Sequence, residues 1–447
     1  MTGQSAPETW LRSAAPGWPG WTSAFDGAIR REHRCAPTHD LRAAREARLE
    51  QEQSQFGARG TARALAVGGQ QTALVIAELG HKRLGDILQA ITNLRYLKSL
   101  LGFERLDINL VDPGEFRFVQ ELLKEDPFFG RCSNLSYSAL RISNYRIVLH
   151  YSALKECGIT QPDVRAHIEA SARQVVFHSI PVDQRTLEEM YGESASQFSY
   201  PFPLLGVPRV VMERCIGKHQ LFLSAEETAW ADSWLSQHGV GHGEKLIVFV
   251  DDASTRVKVL NPVCSVDVLK HFIAIDGVRA LVYDVRGEGK QDFYRQMLGE
   301  PLFRKLLFST KSGLRRDLAL LADPRVKLIL GPDTGIMHCA SGVHAVRAST
   351  PDASREQIPL MLVYAGKWCN PRHWWTHSLA RCMVAHRSST HTELGLLAEC
   401  TTTDAEFMRG LAEAPTLAAG TVIGFLTDRF SEELASRGLL PTVARTS

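Results

Sequence analysis

The chain has 447 residues, of which 44% are hydrophobic and 22% charged, and its formal net charge is +2 at pH 7. This length exceeds one ordinary hydrophobic core and predicts two domains with flanking segments, while the near-neutral charge argues against a nucleic-acid partner. No apolar run reaches the roughly 18 residues of a spanning helix, and no apolar stretch follows a basic start, so we expect a cytoplasmic protein.

Residues 1–68 predict an N-terminal extension that is partly helical. Proline, glycine and tryptophan dominate its start, and residues 40–55 form a charged pattern with only a thin apolar stripe. Such a pattern is typical of a solvated or loosely docked helix. A role in oligomerisation stays open.

The pattern changes at Thr72, where the first α/β domain is predicted, and the domain with its connection spans 69–220. A strand at 72–77, a loop at 78–86, a helix to about Leu101 and a strand at 106–111 make a βαβ unit. Further elements are predicted as a helix at 116–124, a strand at 146–151, a helix at 163–173 and a strand at 175–178. Residues 181–220 contain several prolines and predict the connection between the domains.

A second α/β domain is predicted over 221–400, followed by a helical segment at 401–447. It begins where Ser224 and Glu227 form a capping-box pattern. Strands are predicted at 245–250, 280–283, 305–308, 326–330 and 360–363, and helices at 265–274, from 291 and at 314–321. Ligands of open α/β sheets bind at the carboxyl ends of the strands, which here are followed by the loops 78–86, 251–258, 284–289, 309–313 and 331–338.

The most informative stretch runs from Val326 to Ser341. Its apolar run ends at Gly331-Pro332 and predicts a buried parallel strand, and the turn Asp333-Thr334-Gly335 predicts the start of a helix. Asp333 or Thr334 can cap that helix, and Gly335 lets the backbone approach a ligand. Free N–H groups at a helix start attract an anion such as a diphosphate. With His338 about one turn in, the stretch predicts a nucleotide-sugar site.

Two stretches together resemble glycosyltransferase family 9, the ADP-heptose:lipopolysaccharide heptosyltransferase family. Leu84-Gly85-Asp86 resembles the family's Leu-Gly-Asp loop. The segment Lys311-Ser312-Gly313-Leu314 leads to Asp333-Thr334-Gly335-Ile336-Met337-His338-Cys339-Ala340, which resembles the family's Asp-Ser/Thr-Gly-x-x-His-x-Ala motif. The resemblance covers residues 72–435. It implies an α/β GT-B fold, in which two Rossmann-like doubly wound domains face a central cleft, with the acceptor in the first and the donor in the second.

The resemblance also implies an activity, the inverting transfer of heptose or a related sugar from an ADP-sugar to an acceptor hydroxyl, as in lipopolysaccharide biosynthesis. ADP-heptose is the donor it favours, with no metal or other cofactor required. The acceptor is a saccharide, a lipid-linked molecule or a protein, and peripheral contact with the inner membrane stays open. Asp86 would be the general base, because a single displacement needs one carboxylate facing the acceptor. The structural alternative is that Asp86 only caps its helix.

The remaining site residues implied by the resemblance bind the donor. Thr334 and Gly335 would hold the diphosphate, Asp333 would reach sugar hydroxyls, and His338 would donate to phosphate or sugar. The other predicted donor-binding residues are Lys258 and Arg256, for the charge of the departing ADP, and Glu288, for the ribose hydroxyls. Their structural alternatives are helix capping, a buried histidine, an exposed loop lysine and a turn residue.

Three local features depart from the family pattern or extend it. Asp251-Asp252 places negative charge beside the predicted phosphate site. Residues 343–358 predict an inserted polar loop. The segment Lys367–Trp375 contains three tryptophans near the predicted donor site, where they stack on a ring or pack against the protein.

The nine cysteines form no CxxC pair, and their odd number and scatter are typical of reduced thiols. A loose C-terminal group contains Cys369, Cys382 and Cys400, with His373, His377 and His386 nearby. Its spacing matches no common zinc pattern, so we predict no metal site, although the residue types leave metal binding open.

Two other functions are compatible with parts of the sequence. A non-catalytic sugar-nucleotide or glycan-binding protein on a decayed GT-B scaffold is the main alternative, and retention of Asp86, Asp333 and His338 argues against it. A nicotinamide-dependent oxidoreductase suits the α/β pattern, but no strand is followed by a full G-x-G-x-x-G fingerprint.

Overall fold

The computed structural model describes residues 72–78, 84–101, 105–136, 139–141, 144–145, 147–152, 176–178, 219–284, 287, 289–350, 357–368, 371–375, 378–388 and 390–440. The predicted extension at 1–68, the predicted helix at 163–173 and most of the predicted connection at 181–220 lie outside the described residues.

The first sheet has five parallel strands in the order β3-β2-β1-β4-β5. Their bounds are Thr72–Glu78 (β1), Arg105–Leu110 (β2), Phe129–Ser133 (β3), Ile147–Ser152 (β4) and Val176–His178 (β5). The central strand β1 pairs with both β2 and β4, so that Val75 lies opposite Ile108 and Leu149. Its residues 73–77 are all buried and apolar, as expected for a parallel strand covered on both faces.

Two helices follow β1 and β2, at Leu84–Leu101 (α1) and Pro113–Leu123 (α2). The start of α2 is set by Asp112, whose carboxylate accepts from the backbone N–H groups of Gly114 and Glu115, and by Pro113 in the first turn. Strand β3 was not predicted from the sequence. It lies at the sheet edge and, apart from Phe129, its residues are not buried, so it lacks the apolar pattern that identifies a strand.

The second sheet has seven strands in the order β12-β11-β10-β9-β6-β7-β8, and the pair β11–β12 is antiparallel while the other pairs are parallel. The bounds are Lys245–Phe249 (β6), Val278–Asp284 (β7), Leu306–Thr310 (β8), Val326–Pro332 (β9), Leu360–Ala365 (β10), Arg381–Arg387 (β11) and Thr392–Leu396 (β12). Strands β6 to β10 correspond to the five strands predicted for this half.

The helices of the second half are, in chain order, Ala225–Gln237 (α3), Pro262–Ile273 (α4), Lys290–Leu298 (α5), Glu300–Phe303 (α6), Leu314–Leu321 (α7), Gly335–Ala348 (α8), Arg372–Trp375 (α9), Asp404–Gly410 (α10), Ala419–Arg429 (α11) and Ser431–Ser436 (α12). The capping box that begins α3 is present as predicted from Ser224 and Glu227. Helix α4 begins three residues earlier than predicted, because the Asn261 side chain accepts from the Cys264 N–H and Pro262 occupies the first turn.

The prediction of a polar loop over residues 343–358 is wrong for residues 343–348. Helix α8 continues through them to Ala348. Val343, His344 and Ala345 are buried, so tertiary packing extends the helix beyond its apolar start. Residues 351–356 of the predicted loop lie outside the described residues.

An apolar core joins the two sheets. One cluster of buried residues includes Val75 and Ile87 from the first half and Val248, Ala340 and Met337 from the second. A second cluster lies within the second half and includes Leu426 and Leu434 from the C-terminal helices. Among the described residues, no helix is both long and apolar enough to cross a membrane.

Arg315 on α7 adds a polar contact between the halves. Its guanidinium donates to both carboxylate oxygens of Glu227, at 2.8 and 2.5 Å, and to the backbone carbonyls of Glu121 and Phe222. One side chain thus bonds to α2, to α3 and to the segment before α3, and this buried cation connects the two halves. Burial opposes ionisation of Glu227, but the bonds from Arg315 and the Ser224 N–H lower its pKa from 4.5 to about 2.

A buried histidine on α8 predicts a pH dependence of stability. His344 donates from Nε2 to the Leu321 carbonyl at 3.0 Å, and burial and the charge of Arg347 lower its pKa from 6.5 to about 4. Between pH 6.5 and about pH 4, His344 is protonated in the unfolded chain and neutral in the folded protein. Its contribution to the free energy of unfolding is therefore complete above pH 6.5 and is lost as the pH drops toward 4. Applying 1.36 kcal/mol per pKa unit gives a loss of about 3 kcal/mol.

We therefore expect the urea midpoint of the wild-type protein to fall between pH 6.5 and pH 4.5, and the fall to be smaller in His344→Gln. The matched control is His391→Gln, which removes an exposed histidine and should leave the wild-type pH dependence unchanged. An undiminished pH dependence in His344→Gln would contradict the assignment.

Candidate active site

The predicted site loops follow strands at the topological switch point of each sheet. In the second sheet, β6 and β9 are neighbours although β7 and β8 lie between them in the chain. The chain runs from β6 outward to β8 and then returns to place β9 on the other side of β6. Lys258 follows β6 and Asp333 follows β9. In the first sheet, β1 lies at the corresponding reversal between β2 and β4, and Asp86 follows β1. Ligands of open α/β sheets bind at such points.

The two loops that carry the sequence motifs contact each other through glycines. A Cβ atom on Gly335 would lie 2.8 Å from the Gly85 nitrogen and 2.8 Å from the Leu84 Cβ. A Cβ atom on Gly85 would lie 3.2 Å from Cδ2 of His338 and 3.4 Å from the Gly335 Cα. The start of α1 therefore packs on the start of α8 at a distance that only glycine permits, which brings the two halves of the predicted site together.

Asp86 lies inside the first turn of α1, since the helix begins at Leu84. A carboxylate in the first turn is stabilised by the helix dipole, so both the catalytic role and the capping role of Asp86 stay predictions. Asp86 is partly buried and follows Gly85, the residue that contacts Gly335 and His338.

Asp333 and Lys258 form an ion pair at the carboxyl ends of β9 and β6. The Lys258 ammonium donates to the Asp333 carboxylate oxygen Oδ2 at 3.0 Å and to the Asp333 backbone carbonyl at 3.1 Å. The Lys258 side chain is 13% exposed, so the loop-lysine alternative from the sequence does not describe its environment. The ammonium also lies 5.5 Å from the centre of the Trp368 ring, within the range of a cation–π contact.

The surroundings of Asp333 keep its carboxylate charged. Burial by itself would raise the pKa of this carboxyl, but the interaction with His338 and the charge of Lys258 hold the pKa well below its usual range. The second carboxylate oxygen, Oδ1, accepts from the indole N–H of Trp375 at 3.0 Å. The carboxylate is thus bonded on both oxygens.

His338 is buried among aromatic rings. Its imidazole stacks on Trp375 with ring centres 3.9 Å apart and an interplanar angle of 10°. The ring of His219 lies nearly perpendicular to it, with ring centres 5.5 Å apart. Its Nε2 lies 3.8 Å from Oδ1 of Asp333, while Nδ1 is buried without a hydrogen-bond partner among the described residues. Thr92 on α1 contacts Nδ1 of His219 at 2.7 Å, which adds a further connection between the halves.

Of the two candidate caps, Asp333 and Thr334, it is Thr334 that occupies the N-cap position of α8, and its side chain makes no capping hydrogen bond. Within the described part of the chain, the N–H groups of Met337 and His338 bond back to the Thr334 carbonyl, and no acceptor is found for those of Gly335 and Ile336. Thr334, Gly335 and Ile336 are partly exposed. Such donors at a helix start are the groups that can bind an anion, and the diphosphate site at this position stays a prediction.

The expected negative charge of Asp251 beside the phosphate site is compensated in the structure. Asp251 is buried and accepts from the Lys290 ammonium at 2.7 Å and from the Tyr294 hydroxyl at 2.7 Å. Burial opposes the positive charge of Lys290, but the charges of Asp251 and Asp252 raise its pKa. The sequence could not show this pairing, because Asp251 and Lys290 are separated by 39 residues.

The two other residues predicted to bind the donor are Arg256 and Glu288. Arg256 lies in the short 3-10 turn Arg256–Lys258 and is exposed. Glu288 lies outside the described residues. The neighbouring Gly287 has a φ of 66°, and a Cβ atom there would lie 2.6 Å from Cε of Lys311, so the loops after β7 and β8 pack closely.

The sequence predicted the tryptophan-rich segment near the donor site but not the individual contacts of Trp375 and Trp368, and it did not predict His219 or Thr92. The tryptophan-rich segment was a general signal for the first two, but nothing local connects an indole N–H with a carboxylate 42 residues away. The last two carried no local signal for the site, because their positions follow from the packing of α1 against the segment before α3.

The C-terminal cysteine and histidine group is only partly described. Cys400 lies 3.9 Å from Nε2 of His386, and Cys382 is buried. Within the described ranges, no group of three or more His, Cys, Asp or Glu residues could hold a metal ion. Cys369, His377 and the side chain of His373 lie outside those ranges.

Comparison with solved structures identifies the fold. A scan against protein-family models and a search of curated proteins gave no match. The chain is similar to the glycosyl transferase family 9 structure from Veillonella parvula DSM 2008, with a TM-score of 0.51 and 13% identity over 82% of this chain and 99% of that chain. It is also similar to E. coli ADP-heptose lps heptosyltransferase II, with a TM-score of 0.50 and 14% identity over 82% and 98% of the two chains. The predicted α/β GT-B fold is therefore confirmed.

The glycine contact predicts a position-specific effect of alanine. Gly335→Ala places a methyl group against the backbone of Gly85, so we expect a lower melting temperature and at least a tenfold loss of any nucleotide affinity. Gly424→Ala is the matched control, because its Cβ meets nothing within 4 Å. In the interior of α11, this control should stabilise the protein by about 0.5 to 1 kcal/mol. Equal effects of the two substitutions would show that the glycine contact is not required.

Proposed function

We propose that this protein is an inverting glycosyltransferase that moves heptose or a related sugar from an ADP-sugar to an acceptor hydroxyl. The observation that carries the proposal is the contact of Gly85 with Gly335, which joins the loop of the predicted base to the predicted diphosphate site. The location of both loops at sheet switch points supports it. The similarity in fold to an ADP-heptose lps heptosyltransferase supports the choice of donor.

In the proposed reaction, the acceptor oxygen attacks the anomeric carbon from the face opposite the diphosphate. The bond from that carbon to the diphosphate oxygen breaks, and ADP leaves with the electron pair. The start of α8, with Thr334 and Gly335, would hold the diphosphate through backbone N–H and hydroxyl groups. Lys258 would stabilise the charge on the departing oxygen, because a preorganised cation in a partly buried site is most effective where charge develops.

Asp86 is the proposed general base, which takes the proton of the acceptor hydroxyl as the new bond forms. Its place in the first turn of α1, next to the glycine that contacts α8, supports this role.

Asp333 and His338 have proposed roles beside the diphosphate. The two bonds from Lys258 indicate that Asp333 holds this cation, and the acceptor capacity remaining on the carboxylate would serve a donor sugar hydroxyl. His338 would bind phosphate or sugar from the same helix. Arg256 and Glu288 remain proposed contacts to the nucleotide, Arg256 to its charge and Glu288 to its ribose.

The proposed acceptor is a saccharide, a lipid-linked molecule or a protein, and the proposed location is the cytoplasm with peripheral access to the inner membrane. Nucleic acid is not a proposed partner. The proposed stabilisation of the leaving group relies on Lys258 and the helix start, so the mechanism requires no metal.

The function is tested by incubating the full chain separately with ADP-heptose, UDP-sugars and GDP-sugars, with and without acceptor candidates of the three classes. We expect ADP-heptose or a related ADP-sugar to bind and to release ADP in the presence of an acceptor. Binding without release would favour the non-catalytic alternative. The absence of binding to every nucleotide sugar would contradict the transferase proposal.

The base is tested by Asp86→Asn, which keeps the shape of the side chain and removes its charge. We expect turnover to fall by about 10²- to 10⁴-fold, while the dissociation constant for ADP stays within about twofold of wild type. Asp276→Asn is the control, because Asp276 is exposed and precedes β7, at the opposite edge of the sheet. Wild-type turnover in Asp86→Asn would remove Asp86 as the base.

A further inference from the structure

Trp375 lies at the end of the short helix α9 and contacts two residues of the donor motif at once. Its side chain is buried, with the residue 2% exposed. The indole N–H donates to Oδ1 of Asp333 at 3.0 Å, and the ring stacks on His338 at 3.9 Å. An indole has one hydrogen-bond donor and no acceptor, so the bond to the Asp333 carboxylate uses the one polar group of this side chain.

The bond from Trp375 restrains the rotation of the Asp333 carboxylate that binds Lys258. A carboxylate turns readily about its last side-chain bond, because the corresponding energy profile is broad and two-fold. With Oδ1 occupied by the indole N–H, Oδ2 accepts from Lys258 at 3.0 Å. The ammonium also donates to the Asp333 carbonyl, so the backbone and the carboxylate together define its position.

The ammonium of Lys258 retains one hydrogen beyond these two bonds. A lysine ammonium carries three donors, and within the described ranges its two acceptors both belong to Asp333. The ring of Trp368, a partly exposed residue, has its centre 5.5 Å from the ammonium. A cation held in this way is oriented before the ligand arrives, and preorganisation reduces the ordering cost of binding an anion.

We propose that Trp375 is a positioning residue for the donor site. Through the Asp333 carboxylate it orients the Lys258 ammonium for the diphosphate, and through stacking it holds the His338 ring. This inference rests on the proposed function for the identity of the ligand. The contacts of Lys258 that it describes are made by residues of this chain, so they are tested independently of the ligand.

The variant Trp375→Phe retains an aromatic ring beside His338 and removes the N–H group. We expect the dissociation constant for ADP, measured by calorimetry, to rise about tenfold, which is the size of the loss of a hydrogen bond to a charged group. The matched control is Trp234→Phe. Trp234 also stacks on a histidine, His238, with ring centres 3.9 Å apart, but it lies on α3 away from the site.

A double-mutant cycle separates positioning from general packing. In the Lys258→Met background the cation is absent, so Trp375→Phe should change the ADP dissociation constant by less than about twofold. A tenfold effect that persists in this background would show that Trp375 acts without Lys258 and would overturn the proposal.

A ligand-free measurement keeps this inference distinct from the proposed function. Limited labelling with an amine-reactive reagent, followed by mass spectrometry, should modify Lys258 several times faster in Trp375→Phe than in the wild-type protein or in Trp234→Phe. The buried Lys290, paired with Asp251, serves as the internal reference and should keep its wild-type rate.

An unchanged rate at Lys258 would overturn the positioning role, whether or not any nucleotide binds. Faster labelling of both lysines would indicate general loosening and would also overturn it. Faster labelling of Lys258 alone in a protein that binds no ADP would support the positioning role and count against the proposed function.

Discussion

The close approach of two helix starts is the constraint on which the candidate site depends. Gly85 at the start of α1 and Gly335 at the start of α8 leave no room for a side chain between them. Each helix directly follows the loop of a strand at a switch point of its sheet. The contact therefore aligns the edges of two separate sheets, and the residues next to the glycines, Asp86 and Thr334, come to the same region.

Three cations in the described part of the chain with little-exposed side chains are paired with carboxylates. Asp333 bonds to Lys258, Asp251 bonds to Lys290, and Arg315 bonds to Glu227. An unpaired charge in such surroundings would be costly, because the interior solvates ions poorly.

The pairs divide into two kinds. Lys290 and Arg315 are each bonded to a carboxylate and to backbone carbonyls, so they join structural elements. Lys258 differs because, among the described residues, its hydrogen-bond acceptors both belong to Asp333, and its ammonium lies 5.5 Å from the centre of the Trp368 ring. This difference supports a ligand-directed role for Lys258 and a structural role for the other two cations.

Much of the second sheet could be predicted because its strands are short, apolar and separated by clear helix-start signals. The capping box at Ser224 and the strand-turn-helix pattern around Asp333 are local, and the structure contains both. The edge strand β3 and the full length of α8 could not be predicted in this way. β3 has little apolar pattern, and the end of α8 is stabilised by burial of residues such as His344.

The sequence by itself determined the α/β class and the positions at which a helix start with a glycine could bind an anion. Those features depend on residue periodicity, capping and the absence of a Cβ atom, which act over a few neighbouring residues. Only the tertiary structure decided that Trp375 bonds to Asp333, that Lys290 compensates Asp251 and that Gly85 contacts Gly335. The partners in each pair are far apart along the chain, and their contacts depend on how the strands are ordered and how the two halves pack.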